Sequence, residues 1–457
     1  MIRTIESYLH SWKEDTSRLP LLIRGARQVG KSFTVEKFGR ESFARCVTIN
    51  FDLYPQYGKV FEGSLEPAKI IETLSVIARE DIIPGKTLLF LDEIQQCPRA
   101  IMALRYFYEK LPSQHVIGAG SLLEFALASE DIRVPVGRIQ YLFMYPLTFG
   151  EFLDAAGEQR ARQSVAAHEP VAPLPEALHT HLLSLVKIYC TIGGMPAVVQ
   201  EYMSSKSINR CQQLQAAIAQ TYRDDFGKYA KRAHLPHLQN LFHAVPKKVG
   251  RKFKYSAVDD SVPSRELKLA LELLEKAGVV YRVRQTSGDG LPLEAGASDR
   301  NFKIIFLDVG LMQNLCGLYG EMLSAGDILA VHAGAVAEQF VGQELIGNLD
   351  PYVRPGLYYW AREARTSSAE IDYLVASGSK VYPLEVKAGK SGTLRSMQLF
   401  LEQYRAPLGI KVSQANLQLE KPVLAVPLYA LEKLQSLLKS DIPTYDSQGS
   451  PAKRDSE

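Results

Sequence analysis

The chain has 457 residues, of which 46% are hydrophobic and 23% charged, so we expect about three folded domains rather than a disordered protein. No run of about 18 apolar residues occurs, and charge interrupts the first segment, which argues against a membrane span and a secretory signal. The formal net charge of +3 means that contact with nucleic acid would need a local basic patch. Five scattered cysteines without paired spacing argue against a zinc site or a disulfide framework and favour a cytoplasmic protein.

Residues 1–154 alternate short apolar runs with amphipathic helical runs. Continuous apolar runs rich in β-branched or aromatic residues are typical of strands buried on both faces of a parallel sheet. The helical run PRAIMALRYFYEKL begins with Pro98, which suits the first position of a helix. We therefore predict a three-layer α/β sandwich. Its strands would be LPLLIRG, CVTINFD, KTLLFLDE, HVIGAGS and IQYLFMYPL.

The segment GARQVGKS lies between the first predicted strand and the next helix. Gly25 and Gly30 allow a tight turn that aims backbone N–H groups at an anion, as in a phosphate-binding loop. Lys31 would reach the β- and γ-phosphates, and the Ser32 hydroxyl would ligate Mg²⁺. The sequence thus predicts ATP and Mg²⁺ as cofactors. The predicted ATP-binding loop comprises Gly25, Ala26, Arg27, Gln28, Val29, Gly30, Lys31 and Ser32.

An acidic pair ends the third predicted strand in LLFLDEI. Ligands of open parallel sheets bind at the carboxyl ends of the strands. We predict that Asp92 holds Mg²⁺ through water and contributes to the nucleotide site, while Glu93 polarises the attacking water as general base.

Residues 155–177 are polar and rich in alanine and proline, so we expect a linker or surface insertion, followed by a helical region over 178–324. Within that region, Ser264 is the expected N-cap of a helix. The stretch PKKVGRKFK carries a dense group of positive charges that would neutralise DNA phosphates, although a solvated loop is the alternative. The charged residues are Lys247, Lys248, Arg251, Lys252 and Lys254.

A second set of acids follows in residues 325–442, ahead of a polar tail over 443–457. Side chains alternate along a strand, so Glu385 and Lys387 share one face. If the strands of Asp372 and Glu385 are neighbours, their carboxylates would bind Mg²⁺, with Glu338 as a further metal ligand. Lys387 would then orient water at a phosphodiester.

The chain resembles the AAA-type ATPases, and more narrowly a bacterial and archaeal group in which the ATPase domain is followed by a C-terminal domain of unknown function; the matching segments span nearly the whole chain in order. The resemblance implies that Ser121 senses the γ-phosphate and that Arg138 is an arginine finger acting across a homo-oligomer interface, with Arg133 as the alternative. A surface ion pair is the other interpretation of both arginines. The matching segments are GARQVGKS, TINFD, LFLDEIQ, GAGS, VGRIQYLFMYPLTFGEFL, GGMPAVVQEY and FLDVGL.

Two further resemblances concern the rest of the chain. Residues 233–310 resemble a winged helix. The acids and their helix–strand–strand order resemble the PD-(D/E)xK nucleases, which implies a restriction-endonuclease-like α/β domain with Gln398 as an auxiliary residue. Ile371 stands where that superfamily often has proline.

The sequence therefore predicts a multidomain α/β protein that binds and hydrolyses ATP and acts on DNA. The alternatives are a signalling or scaffold switch whose C-terminal domain binds a protein partner without cleavage, and a chaperone-like remodeller. The residues leave open whether the C-terminal site cuts DNA.

Overall fold

The structure, a computed structural model, describes residues 1–128, 135, 137–170, 172–317, 333–363, 368–387 and 394–439.

The N-terminal region is built on a parallel sheet, here called the N-terminal sheet. Among the described residues its strands lie in the order β2-β3-β4-β1-β5, and each neighbouring pair is parallel. The five predicted strands are confirmed. They are β1 (Leu21–Arg24), β2 (Arg45–Asn50), β3 (Thr87–Asp92), β4 (His115–Ala119) and β5 (Gln140–Phe143).

Helices cover both faces of the N-terminal sheet. Leu21 and Ile23 pack into one core with α1 and α2, whereas Leu22 packs into a second core with α3 and α4. This alternation gives the three layers that the apolar runs predict. The helices are α1 (Ile5–Glu14), α2 (Lys31–Ser42), α3 (Pro67–Ala78), α4 (Pro98–Lys110) and α5 (Leu123–Leu127).

A set of helices follows the N-terminal sheet. Residues 155–177, predicted as a linker or surface insertion, contain α7, which buries Ala161 and Val165. Arg162 of α7 also pairs with Asp154 of α6 and with Glu432, which ties the segment to the preceding helix and to the C-terminal region. The helices are α6 (Phe149–Ala155), α7 (Gln159–Ala167), α8 (Glu176–Ile192), α9 (Pro196–Ser205), α10 (Ile208–Tyr229), α11 (Leu235–Ala244), α12 (Ser264–Lys276) and α13 (Val309–Cys316).

The hairpin between α12 and α13 belongs to a second sheet. Strand β6 (Val280–Gln285) pairs antiparallel with β7 (Phe302–Phe306) and parallel with a strand from beyond residue 350. The hairpin is therefore not a free wing, and the winged-helix resemblance stays a prediction. The N-cap of α12 is Pro263, so the prediction of Ser264 as N-cap is wrong by one residue.

The C-terminal sheet runs in the order β12-β13-β11-β10-β9-β8-β6-β7 within the described ranges. One face packs on α14 and the other on α15, which carries the buried Met397 and Phe400. The predicted order of helix, three strands and helix is present. The elements are α14 (Ala333–Gly347), β8 (Leu357–Glu363), β9 (Ser368–Ser377), β10 (Lys380–Val386), α15 (Arg395–Tyr404), β11 (Gly409–Ser413), β12 (Gln418–Glu420), β13 (Val423–Pro427) and α16 (Leu434–Lys439).

Buried contacts join the two sheets. The N–H of Phe149 donates to a Glu344 carboxylate oxygen (2.8 Å), and the N–H of Phe143 donates to the carbonyl of Pro351 (2.8 Å). A continuous hydrophobic core includes residues from α1 to α16. Every helix in the described ranges is too short or too polar to cross a membrane, and the five cysteines, all of them described, are free thiols.

Candidate functional site

The phosphate-binding loop leaves β1 and leads directly into α2. Gly30 is the N-cap of α2 with φ 95°, and Gly25 has φ 149°. A Cβ on Gly25 would lie 2.1 Å from the carbonyl oxygen of Met144, so only glycine fits the start of this turn. The free N–H groups of the first turn of α2 face the loop, which is the arrangement that binds anions.

Lys31 lies inside this loop rather than in solvent. Its ammonium donates to the carbonyl oxygens of Gly25 (2.8 Å) and Ala26 (2.7 Å). Burial lowers the pKa of Lys31 to about 8, while the nearby Glu93 and Asp92 carboxylates act in the opposite direction. The lysine ammonium is thus held at the loop by two backbone carbonyls and lies near two carboxylates.

Ser32 and Asp92 meet across the sheet edge, as the sequence predicts for a magnesium pair. The Ser32 hydroxyl donates to Asp92 Oδ1 (2.9 Å), and the amide of Asn50 donates to Asp92 Oδ2 (2.9 Å). Asn50 was not predicted; it ends β2 directly opposite Asp92, so only the strand register identifies it. Burial raises the pKa of Asp92. A hydroxyl and a buried carboxylate at a helix N-terminus fit Mg²⁺, which prefers oxygen ligands.

Glu93 follows Asp92 in a left-handed conformation, with φ 49° and ψ 43°. This region is unfavourable for a residue with a side chain and typically costs about 1–3 kcal/mol. The conformation leaves the carboxylate accepting hydrogen bonds from Gln95 and from the Ser121 hydroxyl (3.3 Å). The predicted base and the predicted sensor are therefore in direct contact, and Gln95 is an additional partner that the sequence did not identify.

Arg27 extends this network to the helical region. Its Nε donates to the Ser121 hydroxyl (3.2 Å), and its Nη1 lies 2.6 Å from Asp225 Oδ2 on α10. The Tyr222 hydroxyl, one turn earlier on α10, donates to the carbonyl of Arg27 (2.6 Å). Of the remaining loop residues, Ala26 and Val29 are buried, whereas Gln28 is exposed with φ 62°.

The predicted arginine finger lies on the surface. Arg138 donates to Glu109 (3.1 Å) and lies over the ring of Tyr108, and none of its contacts involves the loop, Asp92 or Glu93. The surface ion pair that the sequence left open is present. A role across a subunit interface stays a prediction, and Arg133 lies outside the described residues.

The acids of the C-terminal domain lie together on α14, β9 and β10. Strands β9 and β10 are antiparallel neighbours, with Tyr373 opposite Leu384, so Asp372 and Glu385 are adjacent. Asp372 Oδ2 accepts the N–H of Val386 (2.8 Å), and Glu385 pairs with Lys387. Burial raises the pKa of Glu385.

A lysine that the sequence did not single out lies at the centre of this cluster. Lys303 of β7 has its ammonium 3.3 Å from Glu338, 3.3 Å from Asp372 and 2.5 Å from Glu370. Burial and the Asp372 carboxylate raise the pKa of Glu338 to about 8. Lys303 is not visible in the D…E-x-K spacing because it comes from the hairpin before the domain.

These acids do not fit a divalent metal in this arrangement. Apart from one buried oxygen of Glu385, each carboxylate has a lysine or backbone N–H partner, and the described residues contain no group of three acidic, histidine or cysteine side chains arranged to hold an ion. The predicted metal site of Glu338, Asp372 and Glu385 is therefore not formed. Gln398 is exposed on α15, without a polar side-chain contact to the cluster.

The basic stretch packs beside this cluster, although it is far away in sequence. The N–H of Phe253 donates to the carbonyl of Phe302 (2.8 Å), one residue before Lys303. Gly250 has φ 76°, and a Cβ there would lie 3.1 Å from a Glu338 carboxylate oxygen. Around these anchors, Lys247, Arg251, Lys252 and Lys254 are exposed.

Comparison with known families assigns the N-terminal region. Residues 17–153 match the AAA domain family, residues 184–321 match a domain of unknown function (DUF8612), and residues 333–431 match another (DUF4143). Together with the loop geometry, the first match supports an AAA-type P-loop ATPase. None of the curated proteins matches the chain.

Several solved structures are similar to the chain at low identity. The Walker-type ATPase PABY2304 of Pyrococcus abyssi is 16% identical, with 69% of this chain and 96% of that chain covered and a TM-score of 0.44. The RuvB Holliday junction branch migration motor of Thermotoga maritima is 15% identical, with 61% and 88% covered and a TM-score of 0.29. AMPPCP-bound DnaA of Aquifex aeolicus is 13% identical, with 59% and 86% covered and a TM-score of 0.24.

Proposed function

We propose that this chain hydrolyses ATP with Glu93 as general base and that it binds the phosphate backbone of DNA. The observation that carries the first part is the convergence of Lys31, the Ser32–Asp92 pair and Glu93 at one edge of the N-terminal sheet.

Each residue has a definite task in this proposal. The N–H groups at the start of α2 and the Lys31 ammonium bind the phosphate oxygens. Mg²⁺ held by Ser32 and Asp92 would offset the phosphate charge when bound. The Glu93 carboxylate accepts a proton from the attacking water, and Gln95 and Ser121 orient it through their hydrogen bonds to Oε2.

The first test compares Glu93→Gln with Glu72→Gln, the same substitution at an exposed acid on α3. We expect Glu93→Gln to bind ATP but to lose on the order of 100-fold or more in kcat. Glu72→Gln should hydrolyse ATP at the parent rate, and Lys31→Ala should no longer bind it. Parent-like turnover by Glu93→Gln would show that another group is the base.

The second part rests on the position of the basic stretch. Its exposed cations surround Gly250 and Phe253, which anchor the stretch against Glu338 and β7. A solvated loop without a partner has no need of such anchoring. We propose that these cations contact DNA phosphates, because the stretch concentrates positive charge in a short exposed segment.

The second test removes two of these charges with Lys247→Ala and Arg251→Ala. We expect weaker binding to duplex DNA, with the slope of log affinity against log salt concentration reduced by about 2, since each phosphate contact contributes about 0.9. The control removes two exposed lysines of the ATPase region, Lys69→Ala and Lys86→Ala. Equal affinity and slope in both double variants would favour the alternative function, a switch that binds a protein partner.

For DNA, we propose binding without cleavage. Glu385 and Lys387 form an ion pair. The acids around them do not fit a divalent ion in this arrangement of the described residues. Phosphodiester cleavage is therefore not part of the proposal.

A further inference from the structure

The C-terminal acid cluster contains its own cation. The Lys303 ammonium lies within 3.3 Å of carboxylate oxygens from Glu338, Asp372 and Glu370. These three acids come from a helix and a strand, and the lysine comes from a third element, β7. Three carboxylates around one charge resemble the coordination of a metal ion more than an ordinary surface ion pair.

The fold holds Lys303 in this position. The residue lies in β7 opposite Val283 of β6, and the carbonyl of the preceding Phe302 accepts a hydrogen bond from Phe253. Its side chain is only 3% exposed, and the ammonium lies 5.5 Å from the centre of the Tyr359 ring. Moving the ammonium away would leave a buried charge without its partners, which is strongly unfavourable.

The same position cannot hold both cations. Mg²⁺ requires oxygen ligands at about 2.0–2.1 Å in a near-octahedral shell, several of them usually water. Glu338 Oε2 and Asp372 Oδ1, each 3.3 Å from the Lys303 ammonium, are the oxygens that a shared ion would need, while Asp372 Oδ2 accepts the N–H of Val386. We infer that Lys303 is a built-in cation that replaces the divalent metal of a nuclease-like site, so that this domain does not catalyse metal-dependent cleavage of DNA.

The spacing of a nuclease motif and the ability to bind a metal are separate properties of this domain. The D…E-x-K spacing is intact in Asp372, Glu385 and Lys387, yet the charge of the acids is compensated from within the chain. The domain then keeps a nuclease-like arrangement as a rigid, polar support for the neighbouring basic stretch. Nothing in this argument depends on ATP hydrolysis or on DNA binding.

Mn²⁺ binding tests the inference directly. The full chain, stripped of metal and without nucleotide, is titrated with Mn²⁺ and free Mn²⁺ is followed by electron paramagnetic resonance. Every protein in this experiment carries Ser32→Ala, which removes the hydroxyl predicted to bind Mg²⁺ at the phosphate-binding loop. We expect no bound Mn²⁺ at the C-terminal cluster with Lys303 present. Lys303→Met, which keeps an unbranched apolar stem, should bind about one equivalent, and adding Asp372→Asn should abolish it.

If Lys303→Met does not fold, measurements on the protein that retains Lys303 still decide between the outcomes. One equivalent of Mn²⁺ bound by that protein and lost in Asp372→Asn would overturn the inference. Nicking of supercoiled DNA that requires Mg²⁺ or Mn²⁺ and disappears in Lys387→Ala would also overturn it. Absence of both signals supports the built-in cation. A failure of the ATPase or DNA-binding proposals would leave these measurements unchanged.

Discussion

Lys31 is buried against the carbonyl oxygens of its own loop, and this environment makes its proton labile. Its pKa is about 8 in the folded protein and 10.5 in its ordinary state, because burial disfavours the charge. Between these values the unfolded chain binds more protons than the folded one. The contribution of Lys31 to the free energy of unfolding therefore rises as the pH increases from about 8 to 10.5.

ATP binding should reverse this shift, because phosphate oxygens close to the ammonium favour the protonated form. We predict that ATP binding takes up a proton at pH 9 and takes up none at Lys31 at pH 7. Isothermal titration calorimetry in buffers of different ionisation enthalpy measures the number of protons. Lys31→Arg, whose guanidinium stays charged, should take up no proton at this position. Equal proton numbers for the parent protein at pH 7 and pH 9 would contradict the prediction.

The residues that the sequence identified and those that it missed differ in one physical respect. Lys31, Ser32, Asp92 and Glu93 lie at fixed spacings beside strand and helix ends, so their chemistry is visible in the chain. Partners supplied by other elements are not visible in this way. Asn50 depends on the register of β2 with β3, and Lys303 depends on a hairpin that joins the C-terminal sheet.

At the scale of elements, α10 is the helix that contacts the phosphate-binding loop. Tyr222 and Asp225 hold Arg27, and Tyr229 stacks on Phe125 of α5 with ring centres 4.4 Å apart. The Arg27–Asp225 pair is close but lacks an aligned hydrogen bond to Oδ2, whereas Lys228 pairs with Oδ1 at 3.0 Å. Arg27 also contacts Ser121, so one chain of polar contacts joins the predicted γ-phosphate sensor to α10.

We predict that Asp225→Asn loosens α10 without affecting the N-terminal sheet. The substitution removes the carboxylate charge that lies 2.6 Å from the Arg27 guanidinium, and breaking a largely buried ion pair is destabilising because it leaves the other charge uncompensated. Hydrogen–deuterium exchange should then be faster in the second half of α10. Asp224→Asn, the exposed neighbour on the same helix, is the matched control and should exchange like the parent. Equal exchange in the two variants would mean that the pair does not hold the helix.

The local strength of a pattern also decides which elements are predictable. The five apolar runs of the N-terminal region predicted its strands because parallel strands are buried on both faces. The α7 segment was missed because only Ala161 and Val165 are buried on it, so it has almost no apolar stripe. The hairpin lies in the region expected to resemble a winged helix, and its pairing with β8 was not predicted, since pairing between distant strands leaves no local signal.

For the whole molecule, the C-terminal sheet makes the middle and C-terminal regions one unit. Strand β6 pairs with β8, and the side chain of Gln339 on α14 makes two 2.7 Å hydrogen bonds with the backbone of Phe306 on β7. The boundary predicted between residues 324 and 325 stays a prediction and lies outside the described residues, and strands from both sides of it belong to this sheet. A cavity of about 290 Å³ beside the phosphate-binding loop also touches α12, β6 and the segment before β8. Residues of the loop and of the C-terminal sheet thus line one cavity.

This continuity predicts the outcome of cutting the chain. A protease recognition sequence inserted between residues 324 and 325 should allow cleavage, but the two fragments should elute together from a gel-filtration column. They should separate only in denaturant, because cleavage leaves the β6–β8 pairing, the Gln339 contacts and the Lys303 ion cluster intact. The same insertion after residue 445 is the control and should release only a short peptide. Separation of the fragments without denaturant would show that the sheet does not hold the regions together, and that residues 325–442 fold as an independent domain.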